Sequence, residues 1–447
     1  MSNFKNPVWL RFLPPPLRER LSGRVNIFSI IHNSGWLLLD KFVRMFLGLL
    51  VGAWVARYLG PTEYGELAYI VAYIAFFQAV ATLGLDGIII REISRNKDAA
   101  SYILGTSFSL RLLAGVICWL VAVCSMAIIH DWKSSTVLIA ALAGGTLIFQ
   151  AADTIDLWFQ SQGQNRRTVI AKLVAYIISS TLKVLMILSN APLIAFAMAI
   201  SLDIIISAAG LFFAYRRFPC NERWHTVRST AIALLKECWP FILSGLAVII
   251  YMRIDQLMIK EMLGAKALGI YSAILPIAMA PNFVPVIISV VLMPTISRLH
   301  GENKERYRSL LIKIFRANFY AALFIALCTA ALSEFIVSLL FGADFSESAG
   351  ILRIYIFSNC FTWLGVAHSL WLVNEKKGMV RLYGTLLGAA SCIILNSLLI
   401  PIYGLKGAAI VAIIAQFVSA VGINWFFAKE SFILQIKGIL FLKEAHT

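Results

Sequence analysis

The chain has few charged residues for its length. Of its 447 residues only 14% are Asp, Glu, Lys or Arg, whereas 60% are hydrophobic, and the mean hydropathy is +0.81. A soluble protein of this length needs far more polar surface to cover its core, so the composition excludes an ordinary soluble enzyme or binding module. It indicates a polytopic membrane protein.

Several chemical signatures are also missing from the sequence. The seven cysteines are scattered, with no Cys-x-x-Cys pair and no metal-ligand spacing, so we expect small buried side chains rather than disulfides or a metal site. The sequence contains no GxxxxGK[ST] phosphate loop, no HExxH motif and no nucleophile elbow. We therefore predict no catalytic residues and no bound cofactor, and we do not expect an enzyme.

Long apolar segments dominate the sequence instead. Windows of about 20 apolar residues, the length that crosses a bilayer as a helix, recur twelve times. We predict an all-α integral membrane protein with about 12 transmembrane helices. The predicted spans are 35–58, 66–88, 104–129, 136–159, 168–189, 191–215, 237–260, 267–296, 312–341, 347–372, 379–400 and 405–428.

The basic residues are distributed unequally between the two sides of the membrane. With the N-terminus in the cytoplasm, 26 of the 39 Lys and Arg residues fall in cytoplasmic termini and connections, about five at outer connections and about eight inside spans. Such a bias is typical of cytoplasmic loops and predicts that both termini are cytoplasmic. The net charge of +16 then reflects topology and contact with anionic lipid heads, and nucleic-acid binding is not expected.

One short pattern occurs twice. Leu-Gly-x4-Gly stands at the outer end of a span in residues 59–65 and again in residues 263–269, which is an offset of 204 residues. Six spans separate the copies, so both halves share one orientation, as in parallel repeats related by an axis along the membrane normal. We predict two six-helix lobes facing a central cavity; chance similarity between apolar sequences is the alternative.

This interpretation divides the chain into five parts. The predicted parts are a cytoplasmic amphipathic N-terminal segment (1–34), an N-lobe with spans one to six (35–217), a cytoplasmic linker (218–236), a C-lobe with spans seven to twelve (237–428) and a cytoplasmic amphipathic tail (429–447). The two terminal segments are too short or too broken to cross, so we expect them to lie on the inner membrane surface. The outer connections are short and leave no room for a catalytic domain.

The first span carries charges where charge is costly. Asp40 and Arg44 have the i, i+4 spacing that favours an ion pair along a helix, and Lys41 lies beside them. Gly48 and Gly52 continue the same stripe and permit close helix approach. Arg44 therefore either faces a ligand, with Lys41 as a further candidate, or forms a structural pair with Asp40.

Two further arginines lie deep in the predicted spans. Arg253 is close to Asp255, but residues two apart point about 200° away from each other, so the two cannot pair on one helix face. Arg111 in the third span is equally hard to dismiss. Lys172, Lys183, Arg316 and Arg353 lie nearer span ends, and their side chains are expected to extend to the interface.

Acidic and amide side chains in the spans offer an ion-coupling site or helix packing as alternatives. The candidates are Asp40, Asp153, Asp203, Asp255 and Gln150, with Asp156 beside Asp153. His368, near the inner end of the tenth span, is interpreted as a hydrogen-bonded packing residue rather than a proton relay.

Three segments together resemble the Wzx-type polysaccharide flippases. They are the Leu-Gly-Pro-x2-Tyr-Gly turn (59–65), "GLDGIIIREISR" (84–95) and "DLWFQSQGQNRR" (156–167). These flippases share a superfamily with multidrug (MATE) exporters and lipid II flippases, and the likeness covers nearly the whole chain in length, span count and duplication. It implies two MATE-like lobes that rock to give alternating access.

The resemblance also implies a cargo and a location. The cargo would be an undecaprenyl-pyrophosphate-linked oligosaccharide, such as an O-antigen repeat unit of lipopolysaccharide, moved from the inner to the outer leaflet of the bacterial inner membrane. Membrane lipids and other polysaccharide-assembly proteins would be its partners, and the protein would act as a monomer. Coupling to a proton or sodium gradient through one of the acids in the spans is a separate hypothesis. The family's cationic cavity would correspond to Arg44, Arg253 and Arg111, and the planar guanidinium can bind phosphate through two hydrogen bonds.

Three other functions would explain some of these sequence features. A MATE-like multidrug or metabolite antiporter is the nearest, but a cation exporter needs an acidic cavity, and basic residues slightly outnumber acids in these spans. A polysaccharide polymerase or ligase commonly needs a large outer loop with basic catalytic residues. A non-transporting scaffold would give the buried charges no purpose.

Overall fold

The computed structural model describes residues 25–96, 99–132, 134–218 and 224–440. Within these ranges the chain is almost wholly helical and contains no strand. Most of the predicted N-terminal amphipathic segment lies outside them. The α-helices are Val25–Ala81, Asp86–Arg95, Ala100–His130, Ser135–Ala143, Thr146–Phe149, Asp153–Ser161, Asn165–Leu188, Leu193–Arg216, Arg228–Leu263, Ala265–Met279, Phe283–Glu302, Lys304–Ala331, Ser333–Phe341, Ser346–Tyr355, Ser358–Asn374, Gly378–Phe417, Ile423–Phe427 and Lys429–Ile439.

The lengths of these helices reveal the number of membrane crossings. In the described residues nine helical stretches are long and apolar enough to cross a membrane, and a tenth is bent by 47° between Tyr355 and Ser358. The 57-residue helix Val25–Ala81 would extend about 85 Å, far more than the hydrocarbon core of about 30 Å. It is broken at Gly60, and the stretch that begins at Gly378 is broken at Gly404. Dividing both gives twelve spans, which confirms the predicted fold class.

We number these crossings span 1 to span 12 in chain order. We call the membrane side where span 1 begins and span 12 ends the terminal side, and the other side the opposite side. The spans are residues 25–59, 61–81, 100–130, 135–161, 165–188, 193–216, 228–263, 265–302, 304–331, 343–374, 378–403 and 405–427.

Several predicted boundaries differ from the structure, and spans 9 and 7 show why. The predicted ninth span, 312–341, is a helix Lys304–Ala331 followed by a separate short helix Ser333–Phe341. A hydropathy window averages over the turn at Leu332 because both sides of it are apolar. Span 7 begins at Arg228 instead of residue 237, since the polar residues before the apolar segment are helical too.

Each half of the chain packs largely within itself. In the first half, span 5 packs against helix Val25–Ala81 and against span 6. In the second half, span 7 packs against helix Gly378–Phe417, and span 9 packs against span 10. The seam between the halves joins spans 1 and 2 to spans 7 and 8, and its most extensive contact is between helices Val25–Ala81 and Ala265–Met279. The seam therefore separates two helical bundles, while the exact lobe boundaries stay predictions.

The tail forms a helix that packs on the protein. Helix Lys429–Ile439 lies against span 9, where Tyr320 Oη donates to the carbonyl of Ile439 at 2.7 Å. Arg308 pairs with Glu430 at 2.7 Å on the same contact. The predicted surface strip is thus anchored to the bundle at the terminal side.

Candidate functional site

Two glycines close the seam at the opposite side. A Cβ atom on Gly65 of span 2 would lie 1.8 Å from the carbonyl oxygen of Ala265, and one on Gly269 of span 8 would lie 1.8 Å from the carbonyl oxygen of Pro61. Only glycine lets two backbones come this close. We call Pro61, Gly65, Ala265 and Gly269 the glycine seal. The contact is reciprocal, because Ala265 and Gly269 stand 204 residues after Pro61 and Gly65, and each glycine meets the carbonyl group of the other copy.

The turns that lead into the seal share one backbone conformation. Gly60 has φ 70° and ψ 172°, and Gly264 has φ 88° and ψ 175°. Residues with a side chain rarely adopt positive φ, so both turns require glycine. The two copies of the Leu-Gly-x4-Gly pattern therefore form equivalent structures, as an internal duplication predicts and chance similarity does not.

An ion pair crosses the seam beside the seal. Lys260 Nζ in span 7 lies 2.6 Å from Glu66 Oε1 in span 2, and both side chains are largely buried. The same ammonium lies 5.7 Å from the centre of the Tyr69 ring, whose hydroxyl is 3.2 Å from His130 Nε2. Separation of the lobes at the opposite side must break this cross-seam pair as well as the seal.

Arg44 lies in a cluster inside the first half. Its Nε is 2.7 Å from Asp40 Oδ1, which confirms the predicted i, i+4 pair, and its guanidinium lies 5.1 Å from the centre of the Tyr176 ring. Gly48 makes this packing possible, since a Cβ there would lie 2.7 Å from Tyr176 Oη. The second nitrogen, Arg44 Nη2, is buried without a hydrogen-bond partner in the described structure. The neighbouring Lys41 is exposed.

Arg253 has different surroundings from Arg44. It is half-buried in span 7, and no carboxylate of the described residues lies within 4.0 Å of its guanidinium. Its only described hydrogen bond, from Nη1 to Gln256 Oε1, is long at 3.4 Å. It interacts electrostatically with Tyr64 beside the glycine seal and with Tyr355 of span 10. Arg253 is therefore a cation near the seam whose charge is not neutralised by a close acid.

Arg111 is enclosed in span 3. Its side chain is only 2% exposed and pairs with Asp86 of the short helix that follows span 2. This partner lies 25 residues away in sequence and at a helix start, where an acid is favoured by the helix dipole. The guanidinium is not accessible to a ligand in this conformation.

Most of the predicted acids also have cationic neighbours. Lys172 of span 5 lies 2.8 Å from Asp153 and 2.6 Å from Asp156, so it binds these two acids rather than extending freely to the interface. Asp203 of span 6 interacts electrostatically with Lys183 and with Arg44. The buried Gln150 donates to the carbonyl of Leu147 at 3.2 Å.

Asp255 also interacts electrostatically with a cation, Arg253, but it differs from these acids in being almost fully enclosed and bound by two hydrogen bonds. It is 8% exposed, accepts hydrogen bonds from Tyr271 Oη and from the backbone N–H of Gln256, and has no basic side chain within 4.0 Å among the described residues. It lines a cavity of about 50 Å³ together with Tyr355 and Asn396. As the side-chain directions predicted, Asp255 and Arg253 are not paired.

A larger cavity lies inside the second half and was not predicted from the sequence. It measures about 760 Å³ and lies between spans 7, 8, 10, 11 and 12. It adjoins the small Asp255 cavity through Tyr251 and Met252, and it adjoins a cavity of about 400 Å³ between spans 2 and 7 through Val248. His368 was its one signal in the sequence, because a histidine in an apolar span needs a partner.

Comparison with known proteins gives two family matches along the chain. The family model described as "Polysaccharide biosynthesis protein" matches residues 30–300, and the MatE model matches residues 240–402. The capsular polysaccharide biosynthesis protein CapF of Staphylococcus aureus is 26% identical over 228 residues, which are 47% of this chain and 57% of CapF. The aligned region thus spans little more than half of that relative.

Solved structures show the same fold over nearly the full length. An inward-facing conformation of a multidrug resistance MATE family transporter of the MOP superfamily has a TM-score of 0.74 at 17% identity, with 91% of this chain and 99% of that chain covered. The lipid II flippase MurJ, in an inward closed conformation, has a TM-score of 0.71 at 13% identity, with 90% of each chain covered. The predicted MATE-like fold is confirmed. Because the first family model covers more than half of the chain, this multi-pass membrane protein belongs to the polysaccharide biosynthesis protein family.

Proposed function

We propose that this protein moves an undecaprenyl-pyrophosphate-linked oligosaccharide, the repeat unit of an O-antigen or similar surface polysaccharide, across the bacterial inner membrane. The family and the capsular polysaccharide relative support a role in surface-polysaccharide assembly. The excess of basic residues on the terminal side supports a cytoplasmic location for both termini. The protein would take cargo from the cytoplasmic leaflet as a monomer and deliver it to other assembly proteins at the outer leaflet.

Arg253 is the observation that carries this proposal. A guanidinium inside the membrane without a close counter-ion attracts an anion strongly, because water screens it little there. The diphosphate group of the carrier has about two negative charges, and a guanidinium can bind phosphate through two parallel hydrogen bonds. Arg253 also lies near the seam, where both lobes are within reach of one ligand.

Arg44 is proposed as the second phosphate contact. Asp40 holds one edge of its guanidinium, while Nη2 is buried and has no partner among the described groups. A buried polar atom without a partner is costly, so a ligand oxygen at Nη2 would stabilise the site. The prenyl chain would remain in lipid while the diphosphate and the sugars occupy the polar cavities between the spans.

The conformation described here supports alternating access. The glycine seal and the Glu66–Lys260 pair close the opposite side, which would be the outer side under the proposed topology. Cargo would enter from the cytoplasmic side, and rotation of the lobes would then open the seal. Each lobe would move largely as a rigid body, since most packing lies within the lobes.

Reconstitution of the purified full-length protein tests the proposed cargo. Proteoliposomes would carry undecaprenyl-pyrophosphate-linked oligosaccharide in both leaflets, with an impermeant sugar-modifying enzyme outside. We expect the protein to raise modification from about half of the lipid towards all of it, while protein-free liposomes remain near half. Modification that stays near half, together with efflux of a cationic dye from the same vesicles, would identify a multidrug antiporter instead.

We further propose that a cation drives transport through Asp255. Asp40 and Asp153 form ion pairs, and Asp203 interacts with two cations, Lys183 and Arg44. Asp255 interacts with one cation, Arg253, which lies beyond 4.0 Å. Its cavity of about 50 Å³ has room for an ion or water, and Asn396 Oδ1 on its wall has no hydrogen-bond partner in the described structure. Carboxylate and amide oxygens are suitable ligands for a hard cation.

A substitution of Asp255 is expected to uncouple transport from the ion gradient. The Asp255→Asn variant removes the charge and keeps the shape, so flipping should no longer accelerate when a sodium or proton gradient is applied. Asp344→Asn is the matched control, because Asp344 is exposed near the opposite side. Rates would be measured in proteoliposomes with each gradient in turn. A gradient response of Asp255→Asn equal to that of wild type would assign coupling to another group.

A further inference from the structure

The 760 Å³ cavity between spans 7, 8, 10, 11 and 12 has the size of a ligand site. Pockets that enclose small molecules commonly measure about 300–1,000 Å³. The cavity extends from Met252 and Tyr251 in the middle of span 7 to Leu372 and Arg381, next to the terminal-side ends of spans 10 and 11. A molecule that enters from the terminal side can therefore reach deep into the second lobe.

Residues that carry polar atoms without partners line this cavity. His368 is 4% exposed, and its Nε2 atom has no hydrogen-bond partner in the described structure. We predicted a hydrogen-bonded histidine here, and Nε2 does not form such a bond. Asn424 is fully buried; its Nδ2 donates to Ala420 and Gln435, but its Oδ1 accepts nothing from the described residues. Ser289 Oγ, from span 8, is likewise unpartnered. Three spans thus bring side chains with unused hydrogen-bonding capacity to the wall of one cavity, although buried polar groups normally have partners.

The charge of the lining narrows the class of ligand. Among the described residues that line the cavity, Arg381 is the only charged one, and it is exposed near the terminal-side mouth. None of these lining residues carries a carboxylate. The interior is therefore neutral and suits neither a cationic drug nor a diphosphate. A purely apolar prenyl chain would leave the atoms of His368, Asn424 and Ser289 unpaired, which is costly.

Apolar side chains alternate with these polar groups. Val286 and Val290 flank Ser289 on span 8, and Met252 faces the same space from span 7. A sugar ring has the matching chemistry, because it presents hydroxyl groups at its edge and C–H groups on its faces. The ring of His368, which stacks on Trp371 with an interplanar angle of 19°, is held in one orientation for such a contact.

We propose that this cavity is a neutral-sugar subsite, with His368, Asn424 and Ser289 as hydrogen-bonding groups for the glycan part of the cargo. The inference rests on the proposed function and adds a second binding region to it. Phosphate recognition lies at the arginines near the seam, and glycan recognition lies inside the second lobe. The length and shape of this cavity would then set which saccharides are accepted.

Binding measurements with the full-length protein in lipid nanodiscs test the subsite. The two probes are undecaprenyl pyrophosphate and the same lipid carrying one N-acetylglucosamine. We expect wild type to bind the sugar-bearing probe at least tenfold more tightly than the sugar-free one. His368→Phe, which preserves the ring stack, and Ser289→Leu, which fills the cavity, should each remove most of that preference and leave sugar-free binding within twofold of wild type.

Matched controls separate the possible outcomes. Ser397→Leu makes the same exchange as Ser289→Leu on an exposed face of span 11 and should keep the preference. The subsite is wrong if wild type binds both probes with equal affinity, or if each cavity variant loses affinity for both probes equally. Either result leaves pyrophosphate recognition by the wild type intact. Failure of wild type to bind either probe overturns the proposed function and the subsite with it. Melting temperatures within a few degrees of wild type confirm that the variants are folded.

Discussion

Replacing Gly65 with alanine is expected to reduce flipping by about five- to a hundredfold. The added methyl group would lie 1.8 Å from the carbonyl oxygen of Ala265, and a backbone atom cannot rotate away as a side chain can. Overpacking of a close contact typically costs about 1–3 kcal/mol, and 1.4 kcal/mol corresponds to a tenfold population change. The sealed conformation should therefore lose much of its population, and Gly269→Ala should have the same effect because the contact is reciprocal.

Gly52→Ala is the control for the seal variants. No atom lies within 4 Å of a Cβ at Gly52, and alanine is favoured over glycine inside a helix by about 0.5–1 kcal/mol. This variant should flip lipid at the wild-type rate and melt at the same temperature or slightly higher. Initial flipping rates in proteoliposomes at equal protein content, together with melting temperatures, provide the comparison. If Gly65→Ala and Gly52→Ala behave alike, the seal has no role in transport.

Replacing Arg253 with glutamine is expected to lower binding of undecaprenyl pyrophosphate by about ten- to a hundredfold. Hydrogen bonds to charged groups contribute about 1.5–3 kcal/mol each, and the low dielectric of the site preserves that energy. Arg253→Lys retains the charge but loses the planar fork, so its affinity should lie between those of wild type and Arg253→Gln. Titration of the lipid into nanodisc-embedded protein measures all three affinities.

Arg353 provides a matched control for Arg253. It pairs with Glu334 at 2.8 Å near the opposite side, and both side chains are well exposed. Exposed pairs contribute little, about 0–1 kcal/mol, so Arg353→Gln should bind and flip lipid within about twofold of wild type. A normal affinity in Arg253→Gln would show that the diphosphate binds elsewhere, with Arg44 as the next residue to substitute.

Local patterns in the sequence predicted local structure well. The twelve spans follow from windows of apolar residues, and the Asp40–Arg44 pair follows from helix geometry over four residues. The Leu-Gly-x4-Gly repeat predicted the duplication, because equal backbone turns require glycine at equal positions. The repeat did not predict the glycine seal, because nothing in the pattern indicates that its two copies contact each other.

Contacts between distant spans were the part that the sequence did not predict. Arg111 is paired with Asp86, and Lys172 with Asp153 and Asp156, through packing of separate helices that no spacing rule encodes. The neutral cavity is formed by residues as far apart as Ser289 and Asn424. Apart from His368, its polar residues look unremarkable along the chain, and only their convergence in the fold marks them.

The reciprocity of the glycine seal has a mechanical consequence. Backbone contacts backbone at the seal, with no flexible side chain between the two helices, so the contact is rigid. Under the proposed alternating access, a rotation that lifts Gly65 from Ala265 would also lift Gly269 from Pro61, because the four residues form one contact. Opening at this end would then remove both halves of the contact in a single step.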